Sequence, residues 1–282
     1  MATSAIKPTY VVRSERVIDA EPRELWRYRE LFLLLVKRDF VASYKQTVLG
    51  PVWFFVQPFL ASLVYIVIFG QIAKLPSSSL PPLVYYMSGF IGWNYFANCL
   101  IQISYTFMSN GGLFKKIYFP RLILPLSQIA NNLLSFAAQF LVLLAVIVFY
   151  NLSGRSVQLS LKIWALPFVL LTMAVFALGL GCMVTAATVK YRDLTILIGY
   201  TVNLWMFASL VVYPRESVPA NLQWLFTINP MATLIECYRS SIFDTEHAQT
   251  QNVLAALIII TIALIGGLWC FYRAEGNFTD SV

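Results

Sequence analysis

The sequence has little charge and almost no histidine. Only 12% of its 282 residues are Asp, Glu, Lys or Arg, and 59% are hydrophobic, whereas a soluble domain usually has about a quarter charged residues. The single histidine is His247, and the four cysteines form no CxxC or Cys/His arrangement, so we expect neither a metal site nor a disulfide framework. The composition therefore indicates a membrane protein.

Nucleotide-binding and catalytic motifs are also missing. No G-x-x-x-x-G-K-[ST] loop occurs, so we do not expect the chain to hydrolyse ATP. The apolar stretches contain essentially none of the deep ionisable residues that ion-coupled carriers use. No carboxylate pair or Ser/His/Asp set indicates an enzyme. Active transport would therefore draw its energy from a separate ATPase, with no catalytic residue or cofactor in this chain.

Six apolar stretches are long enough to cross a bilayer as helices, at about 51–72, 83–107, 122–149, 161–189, 194–213 and 253–272. Six crossings place both termini on one side, and that side receives 15 of the 20 Lys and Arg residues. The excess of positive charge predicts that both termini are cytoplasmic. The predicted fold is an all-α polytopic membrane protein, with a cytoplasmic segment over residues 1–50 and a six-helix transmembrane domain over 51–282.

The formal charge of +7 does not indicate a nucleic-acid partner. Basic residues before Gly50 alternate with Glu and Asp instead of forming a basic run, which suits a membrane surface better. The first 24 residues contain no apolar core, so no cleavable signal peptide is expected.

Two further segments are too short to cross. Residues 21–46 repeat apolar side chains at helical spacing around the short core Leu31–Val36, which predicts an amphipathic helix at the cytoplasmic interface. A cytoplasmic helix packed on protein is the alternative. Before the last crossing, Asn229 and Pro230 divide two short apolar pieces. Asn229 is expected to cap a helix beginning at Pro230, and the two pieces predict re-entrant half-helices.

Polar side chains recur at helical spacing in the second and third apolar stretches. They are Asn94, Asn98 and Gln102 in the second, and Gln128, Asn131, Asn132, Ser135 and Gln139 in the third. One interpretation is hydrogen bonding that fastens the helices together. The other is a hydrated path for a neutral, hydroxyl-rich substrate, which carboxamides both donate to and accept from.

Four ordered stretches resemble one family, the type-2 ABC exporter permeases for O-antigen, capsular polysaccharide or teichoic acid. They are RDFVASYKQTVLGPVWFFVQP (38–58), FKKIYFPRLILPLS (114–127), ALGLGCMVTAATVKYRDL (177–194) and INPMATLIECYR (228–239). The resemblance implies a homodimer in the bacterial inner membrane, paired with two ATPase subunits that bind ATP and Mg²⁺. It also implies a lipid-linked polysaccharide as substrate, with O-antigen the leading interpretation.

The resemblance implies roles for three groups of residues. The ATPase-coupling group is Asn110, Gly111, Leu113, Phe114, Lys115 and Lys116. The cytoplasmic entrance is Arg38, Lys45, Thr47, Leu49 and Gly50. The outer gate is Trp224, Asn229 and Pro230. Arg38 and Lys45 are candidates to meet the pyrophosphate of the carrier lipid, although topology signalling explains their charge equally well.

Aromatic residues make up 15% of the chain, and sugar rings stack on aromatic faces. Candidates for the substrate path are Trp53, Phe54, Tyr85, Tyr86, Trp93, Tyr200 and Trp205, together with Asn94, Asn98 and Gln102. Interfacial belts of Trp and Tyr are the alternative explanation for the aromatic residues.

Other functions stay open on the sequence alone. The same architecture would suit export of drugs or small hydrophobic molecules. A membrane-embedded glycosyltransferase or acyltransferase is less favoured because catalytic acids and histidines are missing, and an assembly scaffold does not account for the ordered motifs.

Overall fold

The computed structural model describes residues 26–45, 47–74, 80–114, 119–188, 191, 193–243 and 249–280. Within this part of the chain the structure is helical, and its only β-type pairing is an isolated bridge between Leu159 and Phe243. The all-α prediction is confirmed.

Ten α-helices follow one another in the described residues. They are α1 (Arg29–Tyr44), α2 (Trp53–Tyr65), α3 (Pro82–Ser104), α4 (Thr106–Phe114), α5 (Ile123–Leu152), α6 (Leu166–Thr188), α7 (Leu194–Phe207), α8 (Gln223–Ile228), α9 (Pro230–Ile242) and α10 (Thr250–Asp280). A π-helix, Ile66–Ile72, continues α2, and 3-10 turns occupy Gly50–Val52, Leu161–Ala165, Arg215–Ser217 and Ala220–Leu222.

Four of the described helices are long and apolar enough to cross a membrane: Trp53–Ile72, Ile123–Leu152, Leu161–Thr188 and Thr250–Ala274. They coincide with the first, third, fourth and sixth predicted crossings. The second falls on α3, which has 23 residues but carries the polar stripe. The fifth falls on α7, whose 14 residues extend only about 21 Å. Each predicted crossing is therefore a helix, while the count of six crossings stays a prediction.

The α3 helix lies at the centre of the bundle and contacts α2, α5, α6, α7 and α9. Its Val84, Met87, Ile91, Phe96 and Ile103 side chains are fully buried. In a membrane, close packing and internal hydrogen bonds hold helices together more than apolar burial does. The polar stripe of α3 therefore sits where it bonds to protein.

Glycines bring two of the long helices into direct backbone contact. A Cβ added to Gly267 of α10 would lie 2.0 Å from the Gly179 carbonyl oxygen of α6, and one added to Gly179 would lie 2.7 Å from Ala263 backbone atoms. Small residues at such a crossing permit the close approach that stabilises helix pairs in membranes. The α6–α10 pair accordingly depends on these glycines.

The N-terminal helix α1 packs on the start of α5. Leu35 is buried against Phe119, Ile123 and Leu124, which is the packing on protein that the alternative interpretation expects. Other apolar side chains of this helix stay exposed, namely Leu33, Leu34 and Val41, as does Trp26 just before it. The helix therefore has apolar side chains on two faces instead of the single face that an amphipathic pattern predicts. Residues 21–25 and 46 of the predicted segment lie outside the described residues.

Candidate functional site

The polar stripes of α3 and α5 face each other and form a hydrogen-bonded seam. Asn132 Nδ2 donates to Gln102 Oε1 at 2.8 Å, and Asn94 Nδ2 donates to Gln139 Oε1 at 3.4 Å. Within α3, Asn98 Nδ2 donates to Asn94 Oδ1 at 3.0 Å. These bonds favour the fastening interpretation, because the carboxamides bond to one another.

The other polar residues of the α5 stripe do not bond to α3 in the described contacts. Ser135 Oγ donates to the Asn131 carbonyl at 3.3 Å, whereas the buried Asn131 Oδ1 has no hydrogen-bond partner among the described residues. Gln128 reaches towards α1 and is described below with the joint that it completes.

Two of the predicted aromatic path residues meet in a cluster between α3, α6 and α7. The ring centroids of Trp93 and Trp205 are 6.2 Å apart, and Phe96 and Phe176 lie 5.5 and 5.9 Å from Trp205. Trp93 is 3% exposed, so packing inside the chain explains its position.

The other aromatic candidates divide by exposure. Tyr85 and Tyr86 are buried and 5.5 Å apart in an edge-on arrangement, and Phe54 is buried and stacked on Phe40. Trp53 and Tyr200 are 45% and 69% exposed. These two are the most exposed of the aromatic candidates.

Side chains from α1, α4 and α5 meet at the end of the bundle where α3 ends. Arg38 Nε donates to Asp39 Oδ1 at 2.7 Å, and Arg38 Nη2 donates to Asn110 Oδ1 at 3.5 Å. Gln128 Nε2 donates to Asp39 Oδ2 at 3.0 Å. We call these four residues the α1 joint. It brings Arg38, a predicted entrance residue, onto Asn110, a predicted coupling residue.

The remaining entrance and coupling residues follow Arg38 and Asn110 closely in the sequence. Gly50 has a φ of +51°, a conformation that glycine adopts without strain, and it begins the 3-10 turn into α2. Thr47 and Leu49 are exposed just before it, as is Lys45 after α1. The predicted coupling residues Gly111, Leu113 and Phe114 fall within α4. Lys115 and Lys116 lie outside the described residues.

The Asn-Pro pair begins α9, as the sequence predicts. Asn229 Oδ1 accepts from the Met231 N–H at 3.0 Å, and Pro230 is the first helical residue. Asn229 also receives the Trp205 Nε1–H at 3.2 Å and donates Nδ2 to the Ala208 carbonyl at 2.6 Å. Of the other predicted gate residues, Pro230 is buried and Trp224, on α8, is 60% exposed.

Arg239 has a buried position that the sequence did not predict, since its charge was assigned there to a loop. It is 1% exposed, and its guanidinium donates to the Leu210 carbonyl at 2.9 Å and the Val211 carbonyl at 2.6 Å. It also lies 3.9 Å from the centroid of the Tyr85 ring. A Cβ at Gly89 would lie 2.4 Å from Arg239 Nη2, so a glycine in α3 makes room for this side chain.

These contacts end the helix of the predicted fifth crossing, 194–213, earlier than predicted. The helix ends at Phe207, and Leu210 takes a left-handed φ of +56°. The carbonyls of Ala208, Leu210 and Val211 bond to the side chains of Asn229 and Arg239. The helix ends early because these side chains satisfy backbone groups that a longer helix would otherwise pair.

Long apolar helices outside and hydrogen-bonded carboxamides inside define a polytopic helical membrane protein. Residues 30–243 match the model of the ABC-2 type transporter family, and the chain belongs to that family. Membership implies a membrane location and a partnering ATPase, and it confirms the prediction of a transport permease instead of an enzyme.

Curated relatives cover nearly the whole chain. It is 25% identical over 253 residues to the O-antigen export system permease protein RfbA of Klebsiella pneumoniae, covering 89% of this chain and 94% of the relative. It is 26% identical over 263 residues to the protein of the same name from Myxococcus xanthus, covering 92% and 98%. The four stretches that suggested the family lie within residues 30–243, which match the family model.

Proposed function

We propose that the chain is the permease subunit of an exporter that moves a lipid-linked polysaccharide, O-antigen in the first instance, across the bacterial inner membrane. The observation that carries the proposal is the similarity to O-antigen export permeases over 89% and 92% of the chain. A similarity of that extent covers most of the chain, not one shared motif.

The proposed assembly is a homodimer of this chain with two ATPase subunits, which bind ATP and Mg²⁺. Six crossings with both termini in the cytoplasm are supported by the 15 of 20 basic residues on that side. In this arrangement residues 208–213 complete the short crossing that begins with α7. The exposed apolar residues Leu33 and Leu34 of α1, with Trp26 just before it, suit a helix at the membrane interface.

The α1 joint supports a route from the ATPase into the bundle. Arg38 contacts Asn110 of α4, while Asp39 contacts Gln128 of α5. A displacement of α4 by the ATPase subunit would therefore be transmitted to α1 and, through α1, to the first turns of α5. We propose that α4, with the following Lys115 and Lys116, is the surface that the ATPase contacts.

The proposed substrate path lies at the surface between two copies of the chain. Trp53 and Tyr200 have exposed rings, so they are available to stack on sugar rings without repacking the core. The α2 helix is mostly exposed, including Phe55 and Phe59. Buried Tyr85, Tyr86 and Trp93 and the seam residues Asn94, Asn98 and Gln102 would then support the wall from behind.

A deletion strain tests the proposal. We expect lipid-linked glycan to accumulate inside the cell and surface glycan to disappear, with both restored by the intact gene. The purified chain is expected to bring down its ATPase subunit, and an ATPase variant that cannot hydrolyse ATP should reproduce the deletion. Normal surface glycan in the deletion strain, together with new sensitivity to drugs, would instead identify an exporter of small hydrophobic molecules.

A further inference from the structure

The segment that follows α7 is held by side chains of another helix. The Ala208 carbonyl accepts a hydrogen bond from Asn229 Nδ2 at 2.6 Å, and Ser209 Oγ lies 3.1 Å from the same Nδ2. The next two carbonyls, of Leu210 and Val211, bond to Arg239. Both ends of α9 therefore hold the chain where it leaves α7.

Arg239 connects this segment to α3 as well. Its Nη1 donates to the Tyr85 hydroxyl at 2.9 Å, and its Nη2 lies 3.4 Å from the Tyr85 carbonyl. A buried guanidinium is tolerated only while its hydrogen bonds are kept, and separating it from its acceptors leaves a buried charge uncompensated. Movement of α9 away from α3 is therefore disfavoured.

Two further contacts complete the attachment. Arg215 and Glu236 form a two-pronged ion pair with distances of 2.6 and 3.0 Å, a geometry that fixes orientation as well as distance. At the other end of α9, the Ser160 N–H donates to the Ile242 carbonyl at 2.8 Å. The helix is thus fixed to the segment before α8 and to the connection between α5 and α6.

The neighbouring helix α8 is attached quite differently. It has only six residues, and Phe226 is its one buried side chain, packed against Leu210, Val218 and Ala232. Apolar packing of this single ring attaches α8 to these residues. Trp224, Leu225 and Ile228 are 60%, 41% and 59% exposed. Within the described part of the chain, no side-chain hydrogen bond joins α8 to another helix; its one side-chain bond, from Thr227 to the Gln223 carbonyl, is internal.

We propose that the first two turns of α3, residues 208–217 and α9 form one rigid unit, the α9 block, and that α8 is the part of the outer gate that moves. The inference rests on the proposed function, since a gate presumes export. It revises the predicted gate: Asn229 and Pro230 belong to the fixed side, and Arg239 is a positioning residue for it. Trp224 alone among the predicted gate residues lies on the moving side.

Cysteine labelling distinguishes the two sides. Trp224→Cys places a thiol on α8, and Glu216→Cys places one at an exposed position of the α9 block. The unmodified chain, labelled in parallel, sets the background: Cys99 and Cys182 are buried, whereas Cys237 and Cys270 are partly exposed. Burial, with a smaller contribution from Glu236, raises the pKa of the Cys237 thiol to about 11, so at neutral pH it reacts slowly.

The purified complex with its ATPase subunits, in lipid nanodiscs, is labelled with a bulky maleimide with and without ATP trapped by a hydrolysis-deficient ATPase. We expect ATP to change the labelling rate of Trp224→Cys by about fivefold or more and that of Glu216→Cys by less than about twofold. Equal changes at both positions, or a change only at Glu216→Cys, would overturn the proposal, as would no change at either.

A crosslink gives a second measurement in cells. Arg215→Cys/Glu236→Cys, bridged by a short bis-methanethiosulfonate, joins two parts of the block that the proposal holds immobile. Surface glycan should stay within about twofold of the unbridged variant, since no motion is lost. Loss of export that a reductant restores would show that these parts move.

Failure of the proposed function would be visible separately. A chain that does not assemble with an ATPase, or whose deletion leaves surface glycan intact, contradicts the export function before any thiol is labelled. Failure of the α9 block appears only in complexes that assemble and export.

Discussion

The guanidinium of Arg239 lies over the ring of Tyr85, with its central carbon 3.9 Å from the ring centroid, and the same side chain donates to the Tyr85 hydroxyl at 2.9 Å. A cation over an aromatic face gains most where water is excluded, and Tyr85 is fully buried. The pair joins the beginning of α3 to α9 across 154 residues of sequence.

Replacing Arg239 is expected to destabilise the bundle strongly. Arg239→Ala leaves two buried carbonyls and the Tyr85 hydroxyl without their donor, at a cost of about 3 kcal/mol or more. Arg239→Lys keeps the charge but not the planar fork, so its loss should be intermediate. The measurement is the melting temperature of the detergent-solubilised chain by size-exclusion chromatography.

The matched control for this prediction is Arg155→Ala, since Arg155 is exposed and should tolerate the change. Gly89→Ala is expected to resemble Arg239→Ala, because its Cβ would lie 2.4 Å from Arg239 Nη2 and 2.6 Å from the Val211 carbonyl oxygen. A Gly89→Ala chain as stable as the parent would contradict the described packing.

The crossing of α6 and α10 gives a second prediction. Gly267→Ala puts a methyl group 2.0 Å from the Gly179 carbonyl oxygen, which forces the helices apart at a cost of about 1–3 kcal/mol. Gly199→Ala is the control, since Gly199 lies within α7 with nothing within 4 Å of the added Cβ. Gly199→Ala should be neutral or slightly stabilising, by up to about 1 kcal/mol. Thermal unfolding in the same detergent decides between these outcomes, and equal melting temperatures would count against the close crossing.

Local signals in the sequence were sufficient to place most of the helices, though not all of their ends. Long apolar runs located the six predicted crossings, and the Asn229–Pro230 pair located the start of α9. Those features depend on neighbours within a few residues, which is why a pattern reveals them.

Contacts between distant residues were not predictable in the same way. The end of α7 at Phe207 depends on Asn229 and Arg239, more than 20 residues further along the chain. The partners of the polar stripes also depend on how α3 and α5 turn towards each other. The one local signal for the position of Arg239 is Gly89, a glycine inside a helix. That Gly89 leaves room for the Arg239 side chain becomes clear only once the helices are packed.

The seam between α3 and α5 allows the two interpretations of its carboxamides to be separated. If they fasten the helices, Gln102→Leu or Asn132→Leu alone removes one hydrogen bond of the seam, at a cost of about 1 kcal/mol. Replacing both residues with Leu should then lower the free energy of unfolding by no more than the sum of the two single changes. The coupling energy should be about 0.6 kcal/mol. The measurement is a double-mutant cycle of unfolding with surface glycan assayed in parallel. Export that falls in the double variant while stability is kept would support the hydrated path instead.

The α1 joint gives the last prediction, which concerns energy coupling. Asp39→Ala removes the acceptor of both Arg38 Nε and Gln128 Nε2, so α1 loses this hydrogen bond to α5. Since Arg38 is partly exposed, the effect on stability should be small, at most about 1 kcal/mol. The transport effect should be larger, because the joint lies between α4 and the bundle. We expect the ATPase complex to assemble in normal yield while surface glycan falls by about tenfold, equivalent to about 1.4 kcal/mol.

Lys37→Ala, an exposed change on the same helix, is the control and should export normally. Equal export by Asp39→Ala and Lys37→Ala would refute a coupling role for the joint, and loss of the complex in Asp39→Ala would show that the joint serves assembly instead.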